Sequence, residues 1–120
     1  MRDSETMRKD LRDEFRRQLD DARRALLQTV TTTDEELWTL EARVAGAPGE
    51  ATPTDVAADV LARLEGRERH QLDEIEAAHR RLESGTFGVC EKCGGTIGLA
   101  RLRALPTARY CLACQEHEEA

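Results

Sequence analysis

The four cysteines of the chain form two CxxC pairs near its C-terminal end, Cys90 with Cys93 and Cys111 with Cys114, separated by seventeen residues. Two cysteines three apart can bind one ion, because the turn between them directs amide N–H groups toward the first sulfur. A second pair completes a tetrahedron and leaves no open position for substrate or water. The pattern therefore predicts one structural Zn2+ rather than a catalytic metal, with two disulfides or free thiol pairs as the alternatives.

The composition limits which folds and which kinds of partner the chain can have. At 120 residues the chain is one domain or one domain with an appendage, and 35% of it is charged while only 3% is aromatic. Such a chain favours long helices that bury a narrow apolar stripe. The formal net charge of −6 argues against direct nucleic acid binding, whose affinity comes mainly from phosphate attraction. The acidic balance favours a protein partner with a basic surface.

The start of the chain and its hydropathy indicate a cytoplasmic protein without a membrane span. Charged residues follow Met1 where a signal sequence would be apolar, and no segment approaches the roughly 18 consecutive apolar residues that a span requires. Cytoplasmic thiols stay reduced, which favours metal over disulfide at the CxxC pairs.

Apolar residues in the first third of the chain recur in steps of three and four, which is typical of a coiled-coil seam. They are Leu11, Phe15, Leu19, Ala22, Leu26, Val30, Thr33, Leu37, Leu40 and Val44. The β-branched run from Val30 to Thr33 conflicts with this pattern, and Thr33 with Glu36 could cap a new helix. Because the seam continues in phase, we predict one helix from about residue 3 to 45, weak or bent at that point.

A second helix is predicted from about residue 53 to 84. Gly46, Pro48 and Gly49 end the first helix, and Thr52 is a suitable N-cap with Pro53 at the first helical position. Leucines and other seam residues then recur in steps of three and four up to the Ser84-Gly85 stop.

Two seamed helices joined by a short connection predict a mainly α fold, a long antiparallel coiled-coil hairpin over residues 1–85 with its tip at 46–55. Residue i should pair with about residue 99 minus i, and the Leu11 end of the first helix should run along the C-terminal part. Residues 86–120 should form a small four-cysteine zinc finger with a short C-terminal helix. Zinc should contribute on the order of 10 kcal/mol to folding so small a core.

The residues around the cysteines resemble a known family. The run from Gly85 to Gly94, GTFGVCEKCG, precedes Ile97, Arg101-Leu102, Ala104, Pro106 and the second CxxC pair. This arrangement closely resembles the DksA/TraR zinc-finger family, in which G-x-[YF]-G-x-C-x-x-C-G leads through I-x-x-x-R-L-x-A-x-P to C-x-x-C. The resemblance implies a zinc-headed coiled coil.

The resemblance also implies a function in transcription regulation. Proteins of this family bind bacterial RNA polymerase, insert the coiled coil through its secondary channel and bring the tip close to the active centre. They make and break no bond, so the chain is expected not to be an enzyme. Some members help form a site for the small effector ppGpp, and none of the residues here can be assigned to one.

The family's tip motif D-x-x-D-x-A matches residues 52–57, so that Asp55 and Ala57 carry over and Thr52 replaces the first acid. Followed by Asp59, the segment is more similar to the shorter TraR-like and Gram-positive-type members. The resemblance implies partner binding by Asp55, Ala57 and Thr52. Helix capping by Thr52 and Asp55 around Pro53 explains the same residues without a partner.

Three other functions fit parts of the sequence. The first is a zinc-headed coiled-coil stress-response or adaptor protein with a different protein target. The second is a zinc ribbon that binds DNA or RNA through Arg101, Arg103 and Arg109. The third is a redox enzyme using CxxC, although that motif normally opens a helix within a βαβ context, which is missing here.

Overall fold

The computed structural model of the chain describes residues 8–45 and 55–119. Its helices are α1 (Lys9–Gln28), α2 (Asp34–Ala45), α3 (Asp55–Leu61), α4 (Gly66–Ser84), α5 (Leu99–Ala104) and α6 (Leu112–Glu119). Within these ranges the only β pairing is an isolated antiparallel bridge between Val89 and Thr96. None of the described helices has the length and apolar character that crossing a membrane would take. The predicted mainly α fold with four clustered C-terminal cysteines is confirmed.

The chain divides into two compact units. The finger unit comprises Met1–Leu19 and Ala77–Ala120, and the helical unit comprises Asp20–Glu76. Helices α1 and α4 contribute residues to both. The finger unit therefore extends beyond the predicted boundary at residue 86, because it includes the beginning of α1 and the end of α4.

Within the finger unit, the first half of α1 packs against the zinc-finger segment. The rings of Phe15 and Phe87 lie with their centroids 5.1 Å apart, and both side chains are buried. Arg103 donates two hydrogen bonds to the Glu14 carboxylate, at 2.8 and 3.2 Å, and the Gln18 amide donates to the Arg103 carbonyl. The prediction that this end of the first helix runs along the zinc finger is confirmed by these contacts.

Helix α4 ends where the sequence predicts, at Ser84 followed by Gly85. Gly85 has a φ of 83°, a left-handed conformation that residues with a Cβ rarely adopt. The amides of Thr86 and Phe87 then donate to the carbonyl of Arg81, which closes the helix end. This turn leads the chain directly from α4 into the first CxxC pair.

The helical unit is built on a cluster of buried aliphatic side chains from α1, α2, α3 and α4 and from the segment between α3 and α4. These are Leu27, Leu37, Leu40, Val60, Leu64 and Leu72. Beside this cluster, Arg23 of α1 donates two hydrogen bonds to Glu76 of α4, at 2.7 and 2.9 Å. The residue numbers sum to 99, which is the antiparallel pairing that the two seams predict.

The prediction of one continuous helix from about residue 3 to 45 is wrong. Helix α1 ends at Gln28 and α2 begins at Asp34. The hydroxyl of Thr33 accepts a hydrogen bond from the Glu36 amide, and the Glu36 carboxylate accepts one from the Thr32 amide. This arrangement resembles a capping box displaced by one residue, and it stabilises a new helix start within the β-branched run.

After this interruption, α2 turns back toward α1. Arg24 of α1 forms two hydrogen bonds with Glu41 of α2, at 2.9 and 3.2 Å. In a continuous helix two residues seventeen apart would be separated by about 25 Å. The helix breaks and turns back because this buries Leu37 and Leu40 in the aliphatic cluster of the helical unit, which one straight helix would not do.

The prediction of one continuous helix from about residue 53 to 84 is also wrong. Helix α3 ends at Leu61 and α4 begins at Gly66. At the new start, the Glu68 carboxylate accepts a hydrogen bond from the Glu65 amide, and the Arg69 amide donates to the Glu65 carbonyl. This side-chain cap from Glu68, together with a glycine that is a poor helix former, separates the two helices.

The two interruptions are joined by a side chain. Arg63, between α3 and α4, donates a hydrogen bond of 3.1 Å to the carbonyl of Val30, between α1 and α2. Arg69 similarly donates to the carbonyl of Leu61 at the end of α3. Carbonyls at helix ends have no partner within their own helix, so these arginines satisfy acceptors that the interruptions create.

Candidate metal centre

The four cysteines converge on one point. Their sulfur atoms all lie within 4.8 Å of one another, and the Sγ atoms of Cys93 and Cys111 are 3.9 Å apart. Four thiolates around Zn2+ at a bond length of about 2.3 Å have sulfurs about 3.8 Å apart. The cluster therefore fits one tetrahedral zinc ion, and the predicted structural Zn2+ of a four-cysteine finger is confirmed as its cofactor.

The first CxxC pair lies on a tight turn that directs amides toward sulfur. The amides of Lys92 and Cys93 lie 3.4 and 3.5 Å from the Cys90 sulfur, and the amide of Gly95 lies 3.4 Å from the Cys93 sulfur. Gly94 has a φ of 77°, which allows its amide to donate to the Cys90 carbonyl. These donors stabilise thiolate charge, as the spacing of the pair predicts.

The second pair is positioned by the start of α6. Cys111 directly precedes the helix and Cys114 lies in its first turn, while the Gln115 amide donates to the Cys111 carbonyl. The Glu91 amide donates to the Arg109 carbonyl at 2.8 Å, which connects the first CxxC turn to the segment that leads into the second. One backbone hydrogen bond thus links the segments of the two pairs without involving a sulfur atom.

The electrostatics of the cluster differ between its cysteines. Burial acts to raise the pKa of Cys90, but hydrogen bonds from the backbone amides of Cys93, Cys111 and Lys92 lower it to about 6. Hydrogen bonding with Cys111, together with burial, raises the pKa of Cys114 to about 12. Since thiolates bind the metal, the backbone amides around Cys90 favour its metal-binding form.

The finger's own apolar core is small. Phe87, Ile97, Leu102 and Ala108 are buried, and Cys90 is buried among the ligands. Ile97 donates through its amide to the Gly88 carbonyl beside the isolated bridge. So few buried side chains cannot offset chain entropy alone, which gives the metal a structural role.

The three arginines considered for nucleic acid binding are all engaged within the protein. Arg101 donates to the Tyr110 carbonyl, Arg103 pairs with Glu14, and Arg109 donates to Glu91 at 3.0 and 3.3 Å. The Arg103 hydrogen bonds lower the pKa of the Glu14 carboxyl. These side chains stabilise the finger, so they do not form a free basic patch.

Arg81 belongs to this region although no motif in the sequence points to it. Arg81 lies in the last turn of α4, with a guanidinium nitrogen 3.8 Å from the Glu91 carboxylate and another 3.5 Å from the Thr107 carbonyl. Glu91 lies between the first two cysteines, so Arg81 and Arg109 meet at the first CxxC turn. In the sequence, only the position of Arg81 four residues before the GTFG run indicates that it lies near the first CxxC pair.

The three candidate tip residues lie far from the cysteines in sequence and are only partly described. Thr52 lies outside the described residues. Asp55 and Ala57 lie in α3, which begins at Asp55, but their side chains are not among those described. Their partner role and the capping role of Thr52 therefore stay predictions. Asp59 is exposed on the same helix.

Comparison with known proteins shows which proteins this chain is similar to. Residues 85–120 match the prokaryotic dksA/traR C4-type zinc finger. The RNA polymerase-binding transcription factor DksA of Caulobacter vibrioides is 42% identical over 69 residues, 58% of this chain and 47% of that protein. The protein of the same name from Escherichia coli K12 is 45% identical over 49 residues, 41% of this chain and 32% of that protein.

The solved structure of transcription factor DksA2 from Pseudomonas aeruginosa is similar over nearly the whole chain. The TM-score is 0.63 at 29% identity, covering 94% of this chain and 86% of that chain. The sequence matches are shorter, and this chain spans about half the length of the curated relatives it matches. The finger match, the DksA relatives and the shared fold agree: residues 85–120 are a zinc finger of the dksA/traR C4 type, and the chain as a whole resembles DksA proteins in its fold.

Proposed function

We propose that this protein binds bacterial RNA polymerase through its secondary channel and modulates transcription, without carrying out chemistry itself. The observation that carries this proposal is the combination of a DksA2-like fold over 94% of the chain with a finger that matches the family's own. The relatives from C. vibrioides and E. coli are named RNA polymerase-binding transcription factors. Such a partner would place the protein in the cytoplasm.

In this proposal Cys90, Cys93, Cys111 and Cys114 are the ligands of one Zn2+, which stabilises the finger and takes no part in a reaction. Their sulfur distances support the assignment, and a complete four-cysteine set leaves no position for a substrate. The paired arginines of the finger and the net charge of −6 support a protein partner rather than direct nucleic acid binding.

Asp55 is the residue that we propose to act on the polymerase, with Ala57 and Thr52 beside it. Asp55 is the first residue that the structure describes in α3, and negative charge in the first turn of a helix is stabilised by the helix dipole. A carboxylate in that position can cap the helix and also meet a basic partner group. The two roles are separable, because asparagine caps a helix about as well as aspartate but carries no charge.

Run-off transcription with purified bacterial RNA polymerase tests this proposal. The zinc-loaded protein should change the yield of transcript, and Asp55→Asn should abolish that change while leaving helix content intact. Asp73→Asn is a matched control, since Asp73 is exposed on α4 and loses the same charge. Equal effects of the wild type and Asp55→Asn would remove Asp55 from the mechanism.

A second candidate is a zinc-finger adaptor or stress-response protein with another protein target. The interruptions at residues 29–33 and 62–65 favour it, because the resemblance implies a continuous coiled coil for secondary-channel insertion and these helices are interrupted. Binding to core polymerase distinguishes the candidates. An adaptor would not co-purify with polymerase, and it would not compete with a DksA protein for it.

A further inference from the structure

The only tryptophan of the chain is exposed. Trp38 of α2 exposes 65% of its surface, although the same helix buries Leu37 and Leu40 in the core of the helical unit. The core of the helical unit closes with aliphatic side chains and does not use the indole. Large aromatic side chains that remain accessible are typical anchors of protein interfaces, where tryptophan is enriched among the residues that dominate affinity.

The surroundings of Trp38 are acidic. Asp34 and Glu35 lie four and three residues before it, on the same side of α2, and both are exposed. Neither carboxylate forms an ion pair within the described part of the chain. Glu41, three residues after Trp38, is held by Arg24. The uncompensated charge beside the indole is therefore negative.

The indole is also sterically accessible. Ala42, one turn after Trp38, is small and exposed, so it leaves space along the helix surface. The acidic first turn of α2 has a local explanation, because negative charge stabilises a helix N-terminus. That explanation does not extend to Trp38, since an exposed indole contributes little to helix stability. The combination of indole and carboxylates on one face fits a cationic partner.

We propose that Trp38, Asp34 and Glu35 form a docking surface, the Trp38 face, for an arginine- or lysine-bearing surface of RNA polymerase. The identity of the partner rests on the proposed function. A guanidinium or ammonium group can lie over the indole while the carboxylates pair with its N–H donors. The face would supply affinity and association rate separately from the effect of Asp55 on transcription.

Binding of core polymerase by zinc-loaded variants tests the proposal. Trp38→Ala should weaken binding about 10-fold or more, as truncation of an interface anchor does. Asp34→Lys with Glu35→Lys should slow association and reduce its dependence on salt. Asp21→Lys with Asp73→Lys is the matched control, because both residues are exposed and the net charge changes equally. Circular dichroism and zinc content should match the wild type in every variant.

Hydroxyl-radical footprinting provides an independent readout. Oxidation of the Trp38 peptide, which mass spectrometry separates from polymerase peptides, should fall several-fold in the complex. If the wild type binds polymerase and Trp38→Ala binds equally well, the Trp38 face is wrong and the proposed function stands. If the wild type does not bind polymerase, the proposed function and the Trp38 face both fail.

Discussion

The two compact units of this protein are stabilised in different ways. The finger unit combines a small apolar core with four converging sulfurs and several ion pairs between its segments, such as Arg103 with Glu14 and Arg109 with Glu91. The helical unit instead buries a continuous cluster of leucine and valine side chains, beside one largely buried ion pair. The finger should therefore depend on metal, and the helical unit on packing.

This difference separates structural from functional residues. The motif that is strongest in sequence, the cysteine set, fits a structural metal that stabilises the finger. The residues proposed to meet a partner, Asp55 and the Trp38 face, belong to the helical unit, which contains no cysteine. Perturbations that act on one unit alone can test whether stability and function divide in this way.

The largest expected effect is that of zinc removal. Chelation should unfold the finger, because the metal contributes on the order of 10 kcal/mol to such a module. The leucine cluster contains no cysteine and should persist. Hydrogen exchange should lose protection around Ile97 and Leu102 while amides around Leu37 and Val60 keep theirs. Equal loss in both units would contradict the division.

Truncation of a core leucine should destabilise the helical unit and leave the zinc finger intact. Leu40→Ala should destabilise the helical unit by about 2–5 kcal/mol, because it leaves a cavity where the side chain is buried. Chemical denaturation measures the change, and zinc content should stay at one ion per chain. Leu105→Ala removes the same atoms from a half-exposed side chain of the finger. A comparable loss in that variant would argue against packing as the cause.

Glu76→Gln should lower the free energy of unfolding by about 2–3 kcal/mol, because it removes the negative charge that pairs with Arg23. Arg23 would then remain largely buried without its two charged acceptors. The exposed counterpart is the pair of Arg24 with Glu41, in which Arg24 exposes 54% of its side chain. Glu41→Gln should cost less than about 1 kcal/mol. Denaturation of both variants compares the same chemistry at two degrees of burial. Equal costs would show that burial does not matter here.

The smallest effects come from two glycines, with opposite signs. Gly66→Ala should stabilise the helical unit by about 0.5 kcal/mol, since no atom lies within 4 Å of the added Cβ and the backbone suits any residue. Gly85→Ala should destabilise the finger unit by about 1 kcal/mol, because the φ of 83° there is unfavourable for alanine. Thermal unfolding measures both, and a stabilising Gly85→Ala would contradict the helix-end geometry.

The sequence predicts the finger better than the helical unit for physical reasons. Metal-ligand geometry requires cysteines at a fixed spacing and a glycine at the turn. The local sequence alone therefore predicts the turn formed by Cys90, Cys93 and Gly94. The antiparallel pairing of Arg23 with Glu76 follows from the seam, because the register of two helices is set by their apolar periodicity.

The helix interruptions could not be predicted from periodicity, because the seam continues in phase across residues 29–33 and 62–65. The capping residues Thr33, Glu36 and Glu68 are visible in sequence, but a cap is worth only about 1 kcal/mol. Burial of Leu37, Leu40 and Val60 in one cluster decides the outcome, and that packing depends on residues distant in sequence.

Competition for polymerase tests the central claim most directly. The labelled, zinc-loaded protein is bound to core RNA polymerase of C. vibrioides, and unlabelled DksA of the same organism is added. The expected result is saturable binding at one protein per polymerase, with complete displacement by DksA, because both would occupy the same channel. Absence of binding, or binding that excess DksA does not displace, would contradict the account.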